Sequence, residues 1–364
     1  LTNSEVSRTP IDDAGLRTYD LYVNGESVPS DSGAYFDSSD PVTGAVWSRV
    51  ARGTSGDVDA ACQAAHAAFE NPEWRSISQS ARGRLLRRLG DLILENADWL
   101  AAVEMKDNGK LIAELGNQMR YMANYYYYYG GLADKIEGAT IPSDKPGVFN
   151  FTRYEPLGVV ACIMPWNSPL PLTSLKLAPA LASGNCIVLK PAEQTPWSIL
   201  KFIELIEDLL PAGVLNVVNG DKEAVDGILD HDDISAVGFV GSTAIAEYVY
   251  SRGCAAGKRV QCFGGAKNHM IIMPDADLDQ AVDALIGAGY GAAGERCMAI
   301  SVAVPVGEDT ANRLMEKLTP RVENLKIAPY TAGDDADFGP LVTNEAHTRV
   351  KGYVDAGVKE GADL

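Results

Sequence analysis

From Val159 onward, hydrophobic positions gather in short unbroken blocks: Val159–Met164, Cys186–Leu189, Val214–Val218, Ala236–Val240 and Arg259–Phe263. Longer stretches with apolar residues at helical spacing separate them. Blocks of this length mark strands buried on both faces, and their alternation with helices predicts a doubly wound parallel sheet. A second α/β portion is expected from Gly264, with strands at His269–Met273 and Ile300–Val306 and helices at Asp277–Ala288, Asp309–Leu325 and Asn344–Glu360. Upstream the period is helical over Asp57–Phe69, Gln79–Asn96 and about Lys110 to Asp134. Tyr125 to Tyr129 fall on the last of these, which sets them all round the helix to pack against several neighbours. Residues 1–56 are expected to be extended, with short strands around Leu21-Tyr22-Val23 and Val46-Trp47. Pro and Gly punctuate Gly138 to Glu155, and β-rich Val148–Tyr154 predicts a hairpin arm there.

The pattern divides the chain into one α/β domain over residues 1–137 and 155–263, an arm over 138–154, and a second α/β domain over 264–364. The last residues, Gly361-Ala362-Asp363-Leu364, follow a helix at a point where another strand is expected. On that reading the second domain is C-terminally incomplete and the chain is a fragment. A net charge of −18 without a long basic run argues against nucleic acid or an anionic membrane as partner. No apolar run is long enough to span a bilayer, and no signal peptide is visible behind Leu1. Six cysteines, with no CxxC and no metal-ligand spacing, read as free thiols in a reducing cytoplasm and no structural metal.

Candidate chemistry centres on Cys297, in Gly294-Glu295-Arg296-Cys297-Met298-Ala299. Small residues precede it and an apolar run follows. That is a thiol on a tight turn between helix and strand, open to a substrate carbonyl. An inert buried cysteine is the alternative. Asn167, in Pro165-Trp166-Asn167, follows a buried strand at the carboxyl end where open α/β sheets bind ligands, and its amide can donate to a developing oxyanion. Lys176 lies in the helical stretch beyond. Lys190 and Glu193, in Lys190-Pro191-Ala192-Glu193, again follow a strand and put a cation and a carboxylate at the edge of a nucleotide site. Such a carboxylate suits two ribose hydroxyls and repels a 2′-phosphate, favouring NAD over NADP. Gly241-Ser242-Thr243 ends a strand and opens a helix, so its backbone N–H groups can face a phosphate.

In this order and spacing, the segments resemble the aldehyde dehydrogenase superfamily across essentially the whole chain. The resemblance implies an NAD-binding domain over 1–137 and 155–263, an oligomerisation arm over 138–154, and a catalytic domain over 264–364. It implies that Cys297 is the nucleophile and that Asn167 helps form the oxyanion hole, with Lys176 in the proton network. Lys190, Glu193, Gly241 and Ser242 would bind NAD, and Trp166 would line the nicotinamide region. Complete members are homodimers or homotetramers. One mild departure is Ala246, where the family carries glycine.

A larger departure is Cys262 in Val260-Gln261-Cys262-Phe263-Gly264-Gly265. Hydrolytic members carry a glutamate there that activates water against the thioester, and a thiol is a weak acceptor for that task. Residues Gln261–His269 and Gly294–Ala299 are instead similar to the methylmalonate-semialdehyde dehydrogenase branch. Val225–His231 and Glu247–Tyr250 point the same way, whereas Met164–Pro196 is more like the hydrolytic members. That branch passes the acyl group to coenzyme A, after the acyl chain has lost its carboxylate. A carboxylated semialdehyde calls for an arginine fork. Arg120 matches the branch's carboxylate-binding arginine, and Arg296 adjoins the nucleophile. The alternatives are an exposed helix arginine for Arg120 and an anchor of the turn for Arg296. The expected activity is NAD-dependent oxidation of a semialdehyde with acyl transfer to coenzyme A. The competing readings are a hydrolytic aldehyde dehydrogenase with its base elsewhere, and a non-catalytic NAD-binding homologue or fragment.

Overall fold

The computed structural model describes residues 16–333 and 335–364. Part of the N-terminal segment, residues 1–15, lies outside the described residues. The chain then forms three short strands, β1 (Arg17–Tyr19), β2 (Leu21–Val23) and β3 (Glu26–Val28), followed by β4 (Tyr35–Ser39) and β5 (Val46–Ala51). Strand β5 pairs parallel with β1 and antiparallel with β4 in a three-stranded sheet. Strands β2 and β3 form a hairpin around Asn24-Gly25, whose φ angles of 54° and 83° make the left-handed turn that suits strand twist.

Five helices follow: α1 (Ser55–Glu70), α2 (Pro72–Arg75), α3 (Gln79–Glu95), α4 (Ala97–Asn108) and α5 (Ile112–Leu132). Helix α1 starts in a capping box, with Asp57 Nα donating to Thr54 Oγ1 and the Asp57 carboxylate accepting from Thr54 N. Helix α4 departs from expectation: Asn96 ends α3 and opens α4 at once, its amide donating to Leu92 O at 2.8 Å. Helices α3 and α5 approach closely at paired glycines, where a Cβ on Gly83 would lie 2.5 Å from Gly130 O. The tyrosine run turns around α5 as a helix requires: Tyr126 is buried with its hydroxyl 3.2 Å from Ser174 Oγ, Tyr127 donates to Asp91, and Tyr128 is exposed. Residues beyond α5 form an exposed two-stranded arm, β6 (Thr140–Ile141) against β7 (Asn150–Phe151).

The doubly wound region then runs β8 (Val159–Ile163), α6 (Pro169–Ala182), β9 (Cys186–Lys190), α7 (Trp197–Ile206), β10 (Leu215–Val217), α8 (Lys222–Asp230), β11 (Ile234–Val240), α9 (Thr243–Ala255) and β12 (Arg259–Phe263). The central sheet has the order β12-β11-β8-β9-β10-β2-β3; its first five strands are parallel and the hairpin closes the far edge antiparallel. Every residue of β8 and β9 is buried, which is why they read as unbroken apolar blocks. A smaller unit follows, with β13 (Asn268–Ile272) parallel to β14 (Ile300–Pro305) and helices α10 (Leu278–Leu285), α11 (Glu308–Glu323) and α12 (Asn344–Lys359). Ile272, Leu278, Val282 and Leu314 form its small separate core.

One buried acid ties α4 to this sheet. Helix α7 begins after Pro196 with no side-chain cap of its own, and Asp107 on α4 takes that role, accepting from Ser198 N at 2.9 Å and Ser198 Oγ at 2.8 Å. Full burial pushes its carboxyl up to about 7 despite these bonds. Between about pH 4 and 7 the folded chain keeps a proton that the unfolded chain releases, so this group's contribution to stability falls as pH rises through that window. Asp107→Asn keeps the acceptor and removes the titration. Urea denaturation across that range is expected to show a shallower loss of stability with rising pH than the unsubstituted protein.

Candidate active site

Cys297 lies in the connection between α10 and β14. Helix α10 widens into a π-turn at Ile286–Tyr290, and Ala292, Ala293 and Gly294 then all take left-handed φ, at 51°, 53° and 74°. Two successive alanines in that region store strain of about 1–2 kcal/mol each. Reversing the chain there brings out a turn over residues 296–298 with the thiol exposed.

Two asparagines hold this turn. Asn167, just beyond β8, donates from Nδ2 to Glu295 O at 2.9 Å, which leaves the second amide proton for another acceptor. Asn268, at the start of β13, donates from Nδ2 to Cys297 O and Ala299 O, both at 3.0 Å. Asn268 falls within Gln261–His269, and nothing in the sequence marks its role, since its partners lie 29 and 31 positions away. Asn268→Ala frees two carbonyls of the Cys297 turn. Turnover is expected to fall about tenfold or more with thermal stability little changed, because the site is exposed and misplacement of a reacting group is costly; steady-state kinetics beside a melting curve checks this.

Glu295 engages its carboxylate with the backbone of Val342, accepting from Val342 N at 3.3 Å, and burial pushes its pKa up to about 7. Arg296 is held within the protein by all three of its nitrogens: Nε and one terminal nitrogen grip Glu114 at 3.2 and 2.7 Å, and the other donates to Gly287 O at 2.9 Å. Arg120, on α5, donates to Asp98 at 2.6 Å and to Gly116 O at 3.0 Å on an exposed surface. Thus both candidate carboxylate-binding arginines already hold protein partners, Arg296 tightly and Arg120 loosely.

The other candidates stand at carboxyl ends of the parallel strands. Lys190 closes β9 almost fully buried, with Nζ 3.1 Å from Glu193 Oε2, and Glu193 is half-exposed. Trp166 is half-buried beyond β8, its carbonyl accepting from Thr195 Oγ1 at 3.1 Å, which ties together the loops after β8 and β9. Gly241 sits against the Phe239 ring, where a Cβ would come within 2.5 Å. Ser242 opens α9 with no side-chain cap and no acidic residue in the first turn, so the helix start is electropositive. Lys176 on α6 faces β12: Nζ donates to Gln261 and lies 5.0 Å from the centre of the Phe263 ring, and burial lowers its pKa. Cys262, beside Gln261 on β12, is half-buried. Burial holds its thiol above the usual range despite the charge of Lys176. A cleft of about 990 Å³ is lined by Glu193, Gln194, Ala293 and the segment around Pro340–Val342, so the Lys190–Glu193 end and the thiol connection open onto one space.

Residues 27–364 match the aldehyde dehydrogenase family. The chain belongs to that family. This aldehyde dehydrogenase is 42% identical over 343 residues to a malonate-semialdehyde dehydrogenase of Pseudomonas aeruginosa, covering 94% of this chain and 68% of the relative. It is 37% identical over 354 residues to the acylating, mitochondrial methylmalonate-semialdehyde/malonate-semialdehyde dehydrogenase of Rattus norvegicus, covering 96% and 65%. A Sinorhizobium meliloti protein described as a methylmalonate-semialdehyde dehydrogenase, solved with NAD, superposes with a TM-score of 0.92 at 45% identity, covering 96% of this chain and 71% of that one. Betaine aldehyde dehydrogenase of Staphylococcus aureus with NAD+ gives the same TM-score at 33% identity, covering 95% and 69%. The fold is therefore that of an NAD-dependent aldehyde dehydrogenase. The residues present fit the dinucleotide: an uncapped helix start for its phosphates, and an ionic pair for its ribose. Among the described residues no cluster of His, Cys, Asp or Glu is placed to hold a metal, and no helix is long and apolar enough to cross a membrane.

Proposed function

We propose that this aldehyde dehydrogenase oxidises a carboxylated semialdehyde through a covalent Cys297 thioester and passes the acyl group to coenzyme A. The observation that carries the acyl-transfer half is the thiol at position 262. Where the hydrolytic members hold a water-activating glutamate, β12 offers a half-buried thiol held protonated by its surroundings. Glu295 is the carboxyl group adjacent in sequence to the nucleophile's turn, and it is engaged with Val342 N instead. The names of the relatives supply the substrate class.

In this reading the Cys297 thiolate forms a C–S bond to the aldehyde carbon. The resulting oxyanion meets the free amide proton of Asn167 and the Cys297 backbone N–H. NAD, held by Lys190, Glu193 and the start of α9 at Gly241-Ser242, supplies the acceptor for the hydride leaving that carbon, with Trp166 beside it. The carbonyl re-forms as a thioester on Cys297. Coenzyme A, partly ionised near neutral pH, attacks it without a strong base, and the Cys297 thiolate departs. Lys176, its pKa lowered, takes part in proton movement at the β12 edge. Of the two arginines, Arg120 is the one a substrate carboxylate can recruit, because an exposed ion pair contributes little and yields easily. The six free thiols support a reducing compartment such as the cytoplasm as the setting of the reaction. The exposed arm at 138–154 serves the pairing of copies into a homodimer or homotetramer.

The test follows NADH with 3-oxopropanoate, with and without coenzyme A. Without coenzyme A, one equivalent of NADH forms and turnover stops; with it, turnover is continuous. Steady turnover without coenzyme A overturns the acylating reading and favours hydrolysis. Against propanal, 3-oxopropanoate is expected to show a KM at least about tenfold lower, in line with a charged hydrogen bond. In Arg120→Ala that preference disappears if Arg120 binds the carboxylate, and persists if it does not.

A further inference from the structure

Behind the two asparagines a buried charge relay links the halves of the site. Lys110, whose side chain is 4% exposed, lies just before α5 and places Nζ 3.2 Å from Ser168 Oγ and 3.5 Å from Glu114 Oε1. Ser168 directly follows Asn167. Glu114, one turn on, grips Arg296 by two contacts and takes a further hydrogen bond from Gln118 Nε2 at 2.9 Å. Arg296 directly precedes Cys297. Its guanidinium lies flat on Gly291, where a Cβ would come within 2.6–2.8 Å of its atoms, so the slot is shaped for that group. One carboxylate therefore binds the neighbour of the oxyanion donor through Lys110 and the neighbour of the nucleophile directly.

We propose that Glu114 is a positioning residue that sets the placement of the Cys297 turn relative to Asn167. This rests on the reading of Cys297 as nucleophile. The physical argument is directional. A bidentate carboxylate–guanidinium pair fixes orientation as well as distance, and this pair is mostly screened from water. The Asn268 clasp fixes the turn to β13, whereas toward the Asn167 loop the Asn167–Glu295 bond is a single contact about which the turn can pivot. Losing the Glu114 charge also leaves Lys110 without the anion it shares with Arg296, which loosens Ser168 at the same time. Burial alone would push the Glu114 carboxyl up, but the Arg296 hydrogen bonds and the Lys110 charge hold it below the usual range, so it stays ionised throughout the working pH range.

Glu114→Gln keeps the shape and removes the charge; Glu114→Asp keeps the charge and shortens the reach. Two readouts are taken on the protein. The first, independent of activity, is hydrogen exchange at the amides of residues 295–299: at least about tenfold faster in Glu114→Gln, with the melting temperature little changed, and partly restored in Glu114→Asp. The second is the rate of the first NADH turnover, expected to fall about a hundredfold in Glu114→Gln with the KM for NAD within twofold. Unchanged exchange at 295–299 in Glu114→Gln overturns the positioning role, whatever the turnover. Faster exchange there, with no NADH formed by the unsubstituted protein, leaves Glu114 as the anchor of the turn and instead refutes the reading of Cys297 as nucleophile. If Glu114→Gln melts early, Glu114→Asp alone decides: exchange equal to the unsubstituted protein and a first turnover within twofold supports the role of the charge, and exchange as fast as in Glu114→Gln contradicts it.

Discussion

Replacing Cys297 by alanine is expected to abolish NADH formation while leaving NAD affinity and stability intact. The thiol is exposed, and its turn is held by Asn167, Asn268 and Arg296 rather than by its own side chain, so alanine costs the fold within about 0.5 kcal/mol. The chemical loss is of another order. Without a covalent intermediate the hydride must leave the aldehyde hydrate directly, and removal of a nucleophile costs at least about 10⁴-fold in turnover. The measurement is the first-turnover rate of NADH formation beside a fluorescence titration with NAD. Loss of NAD binding together with turnover would mean that Cys297 supports the cleft rather than the chemistry.

The second large effect is expected at position 262. Cys262→Glu places a carboxylate on β12, where Lys176 offers a counter-charge across the β12 edge and the thiol it replaces is only half-buried. A positioned general base is worth about 10²–10⁴-fold. Release of free acid without coenzyme A is expected to rise by that factor, while the first NADH turnover changes little, since hydride departure precedes it. Quantifying free acid after a single turnover checks this. If no rise follows, the missing base does not explain the choice of acyl acceptor.

The parts of the fold legible in the sequence are those where burial is total. Strands β8 and β9 are covered on both faces, so their hydrophobicity has no period to confuse. Helix α4 was lost because it buries Glu104 and Asp107, charged residues that spoil an amphipathic pattern, and because Asn96 ends one helix while opening the next. In the sheet of β1, β5 and β4 the sequence marks β5 at Val46-Trp47, whereas β1 and β4, of three and five residues, are too short to show alternation. Positions just beyond strands were legible: Asn167, Lys190, Glu193 and Ser242 lie at the ends of blocks that announce themselves, as β8, β9 and β11 place them. What Arg296 holds was not, since Glu114 lies 182 positions away and only the packing of α5 against the thiol connection brings the two together. Separations of 29 and 31 positions hide the double clasp of Asn268, although an asparagine opening a strand beside a glycine-rich turn is a signal worth weighing.

The most direct test of the account is the mass of the peptide containing Cys297 after the protein is mixed with NAD and 3-oxopropanoate, without coenzyme A, and quenched in acid. The account predicts one acyl group per chain on Cys297, with or without its carboxylate, that disappears on a chase with coenzyme A and is recovered as acyl-coenzyme A. An unmodified Cys297, or an acyl group that leaves as free acid at the same rate with no coenzyme A present, would contradict it.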